Sequence, residues 1–204
     1  MFTGIVQKTV FVQSLQQDKL VLDNPWPQEK LWLGQSIAVN GCCLTVVDFS
    51  KDHISFQVSQ ESLDKTNLKT YAEQKIAVNL EMAMSANSTL DGHMVSGHVD
   101  GQCQIQDIKT VEQEYKQVSF TVPKELLDDN MLVSKGSVTL NGVSLTVNHV
   151  DNNDFDVMLI PKTLEMTNFN NLNKGTSINI EFDMVGKYIV KSIKPYLEQL
   201  KGKM

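Results

Sequence analysis

Apolar and polar residues alternate along most of the chain in short runs, the period of strands buried on one face. Glycine, asparagine, aspartate or proline separates the runs. In the first half the runs fall at Gly4–Val12, Lys19–Leu22, Ser36–Phe49, His53–Val58 and Lys75–Glu81. In the second they fall at Val99–Ile108, Gln117–Val122, Ser137–Val150, Phe155–Ile160 and Thr176–Phe182. Each half carries an Asn-Gly pair, at Asn40 and Asn141, which suits positive φ and so a tight turn or bulge. The segments ESLDKTNL and KTLEMTNF each predict one short helical turn. Beyond Asp183 the period lengthens: Ile189, Ile193, Tyr196, Leu197 and Leu200 recur at helical spacing, predicting an amphipathic C-terminal helix. Pro195 lies inside it, where a missing donor and a ring clash predict a kink or a restart.

The two sets of runs are copies of one another. SIAVNGCCLTVVDF (Ser36–Phe49) returns 101 positions later as SVTLNGVSLTVNHV (Ser137–Val150), placing Asn40 on Asn141 and Leu44-Thr45-Val46 on Leu145-Thr146-Val147. The same offset carries Leu63 to Leu164 and Thr66-Asn67 to Thr167-Asn168, while VNLE at Val78 meets INIE at Ile178. At the front, Phe2-Thr3-Gly4-Ile5-Val6 sits against Val95-Ser96-Gly97-His98-Val99. So many identities in one order mean a tandem duplication.

About six short strands in each half leave exposed edges if laid flat, and closure into a small barrel removes them. The expected architecture is all-β: two similar six-stranded barrels, residues 1–90 and 91–185, followed by a helix over residues 186–204. The apolar stripe of that helix needs a cover, supplied either by its own barrel or by another subunit.

Composition narrows the class. Of 204 residues, 41% are hydrophobic and 21% charged, which fits a soluble globular protein and not a disordered or collagen-like one. The formal net charge of −6 argues against nucleic acid as a partner. No basic-then-apolar leader and no run of membrane-spanning length is visible, so neither export nor a membrane is expected. Cys42, Cys43 and Cys103, an odd number in a chain read this way, suggest reduced thiols in the cytoplasm. Adjacent Cys42 and Cys43 on a strand point to opposite faces and make neither a disulfide nor a chelating pair. His93 and His98 lie five apart without further clustered ligands, so no metal is expected. Asn87-Ser88-Thr89 matches a glycosylation pattern by chance.

A duplicated binding module suggests two similar sites, and the informative positions are those where the copies diverge. Cys43 becomes Ser144, Cys42 becomes Val143 and Ile5 becomes His98, while the framework stays put. Unequal side chains in equal frames suit a reaction between two copies of one molecule, one donating and one accepting.

Taken together and in order, MFTGIV, NGCCLTV, GHMVSGHVDG, NGVSLTV and IPKTLE resemble the riboflavin synthase family, from Met1 to about Lys187. The resemblance implies two Greek-key barrels and a C-terminal helix, assembled as a homotrimer in which unlike barrels of neighbouring subunits face each other. That favours a subunit interface for the helix. It also implies the family's reaction, dismutation of two molecules of 6,7-dimethyl-8-ribityllumazine to riboflavin and 5-amino-6-ribitylaminouracil, without metal, flavin coenzyme or nicotinamide. Association with a lumazine synthase is a further partner that it raises. Asn141 stands where many relatives carry aspartate, which removes an acid–base role there.

By resemblance, the first pocket involves Gly4, Ile5, Val6, Cys43, Leu44, Thr45, Gln57, Val58, Ser59, Gln60, Glu61 and Ser62. The second involves Gly97, His98, Val99, Lys135, Ser144, Leu145, Thr146, Met158, Leu159, Ile160, Pro161, Lys162 and Thr163. His98 is the candidate for proton transfer, since histidine titrates near neutral pH. Ser144 and Thr146, two apart on a strand, are expected to share its pocket and relay the proton. Cys43, with Ser36, is the candidate for the acceptor pocket, as nucleophile or adduct stabiliser. Cys42 is read as a core residue, His93 as structural or supporting, His53 and His149 as surface residues, and Asp183 as a supporting carboxylate. A non-catalytic lumazine carrier is the competing reading; retention of Cys43, His98, Ser144 and Thr146 argues for the enzyme. A flavin-reductase-like barrel would need a nicotinamide-binding domain, and no Gly-rich phosphate loop follows a strand.

Overall fold

The computed structural model describes residues 1–127 and 131–201. The N-terminal half contains β1 (Lys8–Val10), β2 (Val12–Gln16), β3 (Lys19–Asp23), β4 (Ser36–Val39), β5 (Cys42–Phe49), β6 (His53–Gln57) and β7 (Val78–Met82). The C-terminal half contains β8 (Gly101–Thr110), β9 (Lys116–Thr121), β10 (Ser137–Leu140), β11 (Val143–Asp151), β12 (Asp154–Leu159) and β13 (Ser177–Phe182). Helices α1 (Gln60–Lys65) and α2 (Leu68–Gln74) lie between β6 and β7, α3 (Pro161–Met166) between β12 and β13, and α4 (Met184–Lys201) closes the chain.

Strands β10-β11-β12-β9-β8-β13 form a closed antiparallel barrel. The N-terminal strands take the equivalent order, β1-β7-β4-β5-β6-β3-β2. There β8's counterpart is broken at Phe11 into β1, which pairs with β7, and β2, which pairs with β3. One broken strand thus brings the sheet nearly to closure. The duplication extends to the irregularities: β5 shifts register between Val46 and Asp48, and β11 between Val147 and His149. A bulge at this place bends the strand and tightens its twist, as a small barrel requires.

Alternation sets what faces the barrel interior. Along β5, Cys42, Leu44 and Val46 are buried while Thr45 and Val47 are exposed; along β11, Val143, Leu145 and Val147 repeat the pattern. Phe56, Phe120, Leu20 and Ile105 fill the interiors, and the apolar cluster is continuous across both barrels.

The Asn-Gly pairs turn the β4–β5 and β10–β11 hairpins. Asn40 and Asn141 have φ 46°, and Gly41 and Gly142 have φ 80°, so both central residues of each turn are left-handed, as two-residue hairpins require. The turns meet back to back: a Cβ on either glycine would lie 2.8 Å from the other's amide nitrogen.

Around this junction runs a buried seam of six asparagines, Asn40, Asn67 and Asn79 with their repeats Asn141, Asn168 and Asn179. Across it Asn67 Nδ2 donates to Asn141 Oδ1 (2.8 Å), Asn168 Nδ2 to Asn40 Oδ1 (3.1 Å), and Asn79 Nδ2 to Asn168 Oδ1 (3.0 Å). Asn79 Nδ2 also donates to the Asn141 carbonyl and Asn179 Nδ2 to the Asn40 carbonyl, both at 2.9 Å. A carboxamide both donates and accepts, so the seam is satisfied without burying charge. Asn141 is therefore a joint between the barrels, with its Nδ2 on the Tyr71 hydroxyl (3.0 Å), and not an acid–base group.

Local expectations needed correction in three places. The run Gly4–Val12 is not one strand, because Gly4 has φ 77° and the Glu81 carboxylate bends the chain around it before β1 begins. The run predicted from Lys75 starts as a strand only at Val78, since Lys75 (φ 54°) ends α2 in the left-handed region. Each predicted helical turn is longer: α1 is followed by α2, and α3 by a 3-10 turn at Asn168–Asn171.

Helix α4 continues through Pro195 without a restart. Proline costs one backbone donor and crowds the preceding turn, and this stretch of helix is exposed, so water can satisfy the displaced carbonyl. Val185, Tyr188, Ile189, Ile193 and Tyr196 are 46–70% exposed, so their stripe is not covered by the chain's own barrels. The side chains of Leu197 and Leu200 lie outside the described residues. No helix among the described residues is long and apolar enough to cross a membrane.

Candidate functional site

Two carboxylates build two equivalent nodes. Buried Glu81, on β7, accepts from the Thr3 amide and hydroxyl (both 2.7 Å) and from the Gly4 amide (3.0 Å). Its repeat Glu181, on β13, accepts from the Ser96 amide and hydroxyl (both 2.7 Å) and from the Gly97 amide (3.0 Å). Each hydroxyl then accepts the next amide, Ile5 N–H on Thr3 and His98 N–H on Ser96. Burial raises the Glu81 carboxyl above its ordinary range, while the donors around it pull it back down.

These clamps aim two carbonyls. The Gly4 carbonyl accepts the Ser144 amide, and the Gly97 carbonyl accepts the Cys43 amide, both at 2.8 Å. The approach is close enough that a Cβ on Gly4 would lie 2.6 Å from Ser144 Cβ, and one on Gly97 would lie 2.6 Å from Cys43 Cβ. Gly4 is thus against Ser144 and Gly97 against Cys43, the reverse of the grouping expected from the sequence. The cause is a crossover: the N-terminal segment runs antiparallel to the linker through the Phe2–Val95 bridge, so each half lends its Gly-X segment to the other barrel.

The Cys43 node opens into a cavity of about 370 Å³ lined by Cys42, Cys43, Glu61, Ser62, Lys65, Thr66, Gly97, His98, Val99, Asp100 and Lys187. It brings together Cys43, Glu61, Ser62, Gly97, His98 and Val99 of the expected residues. Cys43 is half-buried, whereas burial pushes the Cys42 thiol up to about 11, so Cys42 stays an unreactive core thiol. Lys187, from the first turn of α4, pairs with Asp100 at 2.7 Å and fixes the helix start over this cavity. Asp183 caps the same helix by accepting the Val185 amide (2.9 Å).

A second cavity of about 690 Å³ gathers Thr45, Gln57, Val58, Ser59 and Gln60 with Gln17, Asp18, Val47 and Leu63. Ser59 caps α1, accepting the Ser62 amide (3.1 Å), which sets the rim. Ser36 is half-buried and faces Thr45 across β4–β5. A groove of about 560 Å³ between β2 and the α1–α2 pair contains only Gln60 of the expected residues.

In the C-terminal barrel, Ser144 is half-buried and Thr146 exposed. Val6, Leu44, Leu145 and Leu159 are core, and Ile5 and Ile160 are 45% and 47% exposed. Lys135 is exposed, with its amide on the Val147 carbonyl (2.7 Å). Met158 lines a cavity of about 430 Å³ with Val111, Glu112 and Tyr115. Pro161 opens α3, Lys162 pairs with Glu165 (2.9 Å), and the Thr163 carbonyl accepts the Thr167 hydroxyl (2.7 Å).

The expected His98–Ser144 relay is not formed within the chain, because His98 lies on the Cys43 side. The histidine on Ser144 is His93, whose Nδ1 lies 2.7 Å from Ser144 Oγ and whose Nε2 lies 3.1 Å from Thr139 Oγ1. Burial lowers its pKa, against the charges of Asp183 and Glu181. The available signal was the repeated Gly-His, Gly92-His93 ahead of Gly97-His98. His53 faces Asp48 at 3.2 Å on the surface, as expected.

A lumazine binding domain model matches residues 3–83 and again 96–183. The riboflavin synthase of Bacillus subtilis (strain 168) is 38% identical over 195 residues, covering 94% of this chain and 89% of the relative. That of Schizosaccharomyces pombe is 34% identical over 203 residues, covering 97% and 96%, and that of Escherichia coli (strain K12) is 35% identical over 204 residues, covering 97% and 93%. Among solved structures, LumP complexed with 6,7-dimethyl-8-(1'-D-ribityl) lumazine superposes with TM-score 0.76 at 26% identity, over 89% of this chain and 98% of the other. LumP complexed with riboflavin gives 0.76 at 28%, over 89% and 99%. With the domain matched in both halves and the relatives aligned over nearly the whole length, this chain belongs to the riboflavin synthase family.

Proposed function

We propose that the protein dismutates two molecules of 6,7-dimethyl-8-ribityllumazine into riboflavin and 5-amino-6-ribitylaminouracil. The observation that carries this reading is the pair of matched nodes with unmatched chemistry: identical carboxylate clamps and carbonyl contacts present a thiol, Cys43, in one half and a hydroxyl, Ser144, in the other. The reaction transfers a four-carbon unit between two copies of one molecule. Its atoms balance without an external oxidant or reductant, so the protein's work is orientation, proton transfer and charge stabilisation.

The units are residues 1–90 and 91–185, each binding one lumazine, with residues 186–204 serving assembly. The pairing at the nodes supports one site of Cys43, Leu44, Thr45, Ser36 and Gln57 to Ser62 with Gly97, His98 and Val99. The other is Ser144, Leu145, Thr146, Lys135 and Met158 to Thr163 with Gly4, Ile5 and Val6. Ser144 and Thr146 hold the ring that loses a C7 methyl proton, and Cys43 serves the ring that the resulting carbanion attacks. In a homotrimer the exposed stripe of α4 gains its cover and unlike barrels of neighbouring subunits face each other. His98, exposed on its own chain, then stands between the two bound rings. Free thiols at Cys42, Cys43 and Cys103 fit a cytoplasmic protein, and a lumazine synthase is a natural partner as the source of substrate.

A carrier that binds lumazine without turnover is the second reading, favoured by the likeness to LumP, which was solved with 6,7-dimethyl-8-(1'-D-ribityl) lumazine and with riboflavin bound. Single variants separate the two. Cys43→Ser and Ser144→Ala should each lower turnover more than about tenfold while lumazine affinity changes little. Unchanged turnover in both variants would remove the unequal pair from the mechanism.

A further inference from the structure

We propose that His93 is the positioning base of Ser144, holding its hydroxyl and taking up its proton when Ser144 deprotonates the C7 methyl of the lumazine held there. The inference rests on the dismutation reading and on Ser144 meeting one of the two lumazine rings.

The geometry is specific. Thr139 and Ser144 are directly opposed across β10–β11, and the His93 ring bridges them, Nε2 to Thr139 and Nδ1 to Ser144. With the proton on Nε2 donated to Thr139 Oγ1, the Nδ1 lone pair is left for the Ser144 O–H. The segment carrying the ring is pinned: the His93 amide donates to the Thr3 carbonyl at 3.2 Å. Its neighbour Gly92 lies so close that a Cβ there would be 2.1 Å from the Thr3 carbonyl oxygen and 2.9 Å from Ser144 Oγ. No side chain longer than hydrogen fits at position 92, and the histidine that follows cannot drift from the serine.

The other half lacks this device. Cys43 is opposed to Ala38 where Ser144 is opposed to Thr139, and the imidazole on its side, His98, is exposed where His93 is half-buried. The preformed hydroxyl–imidazole pair is therefore at Ser144, which makes the lumazine at that node the one that loses a C7 methyl proton. There a C–H bond of the C7 methyl breaks and its proton moves to Ser144 Oγ, while the Ser144 proton passes to His93 Nδ1. The electron pair stays in the pteridine as a delocalised carbanion, and charge balances as imidazolium against carbanion. Thr139 accepts the imidazolium Nε2–H, and the charges that bear on the ring, Glu181 of β13 and Asp183 at the start of α4, offset its positive charge. Burial disfavours the imidazolium in the resting enzyme, so the lone pair is free at neutral pH.

The test uses the full-length protein and two readouts: riboflavin formation, and solvent deuterium exchange into the C7 methyl of lumazine followed by NMR. His93→Asn keeps an acceptor near the Nδ1 position but cannot take up a proton. Its kcat and its methyl exchange should fall by about a hundredfold or more, with lumazine affinity within about threefold. Wild-type kcat should decline as pH falls through the native His93 pKa, below the ordinary histidine value, and this acid limb should vanish in the variant. Thr139→Val should lower kcat about tenfold and keep the limb. An Asn variant with near-normal kcat and an unchanged limb overturns the inference. So does a fully active Thr139→Val, which also decides the matter if the Asn variant does not fold. Wild-type protein that exchanges the methyl group but makes no riboflavin defeats the dismutation reading instead, and methyl exchange then still tests His93.

Discussion

Gly97→Ala separates two costs that usually arrive together, backbone strain and crowding. Gly97 has φ 83°, where an L side chain costs about 1–2 kcal/mol. Its added Cβ would also lie 2.6 Å from Cys43 Cβ, 2.9 Å from the Phe2 ring and 3.1 Å from the Cys43 amide nitrogen. The first and last of these belong to the body of a strand and cannot swing aside, so overpacking adds about 1–3 kcal/mol. Gly34 supplies the control, since it has φ 85° but nothing within 4 Å of where the added methyl would sit. Gly34→Ala should therefore cost about 1–2 kcal/mol and Gly97→Ala about 2–5 kcal/mol. For a chain of this size each kcal/mol lowers Tm by about 2–4 °C, so urea unfolding and calorimetry resolve the difference. The displaced strand should also lose the Cys43 N–H bond to the Gly97 carbonyl and expose the thiol, read as faster alkylation of Cys43 in native protein. Equal losses for the two variants, with unchanged alkylation, would refute the claim that Gly97 is fitted to Cys43.

The asparagine seam and the helix give two more expectations. Asn67→Ala removes the partner of Asn40 Nδ2 and one donor to Asn141 Oδ1, both buried, and should lower stability by about 2–4 kcal/mol in urea titration; a loss under about 0.5 kcal/mol would mean water replaces the amide. Removing residues after Lys187 takes away the exposed Tyr188, Ile189, Ile193 and Tyr196 and should shift the protein toward monomer in sizing chromatography, whereas unchanged assembly would place the interface elsewhere.

Sequence reading reached the fold because the signals were local and doubled. Alternation marks β5 and β11 directly, the Asn-Gly pairs name their own turn type, and the break in period after Asp183 announces α4. The pairing of nodes was not legible. Aligning the halves shows that Gly4 corresponds to Gly97 and Cys43 to Ser144, but a duplication cannot say whether a segment packs on its own barrel or on its twin's. The Phe2–Val95 bridge decides this, and it is a contact between distant, ordinary apolar residues. His93 reads from the sequence only as a structural or supporting residue, for a related reason: its repeat would fall ahead of Met1, so comparing the halves gives it nothing to differ from. The repeated asparagines at 40/141, 67/168 and 79/179 were visible as framework, yet their joining into one seam depends on how two barrels meet.

The most direct measurement is a product balance. Purified protein is incubated with 6,7-dimethyl-8-ribityllumazine in buffer without added cofactor, and all species are quantified by chromatography. Two lumazines consumed for each riboflavin, with the pyrimidine formed in equal amount, is the expected result. Tight binding of lumazine with no riboflavin would contradict the donor–acceptor roles of the two halves and leave a carrier in their place.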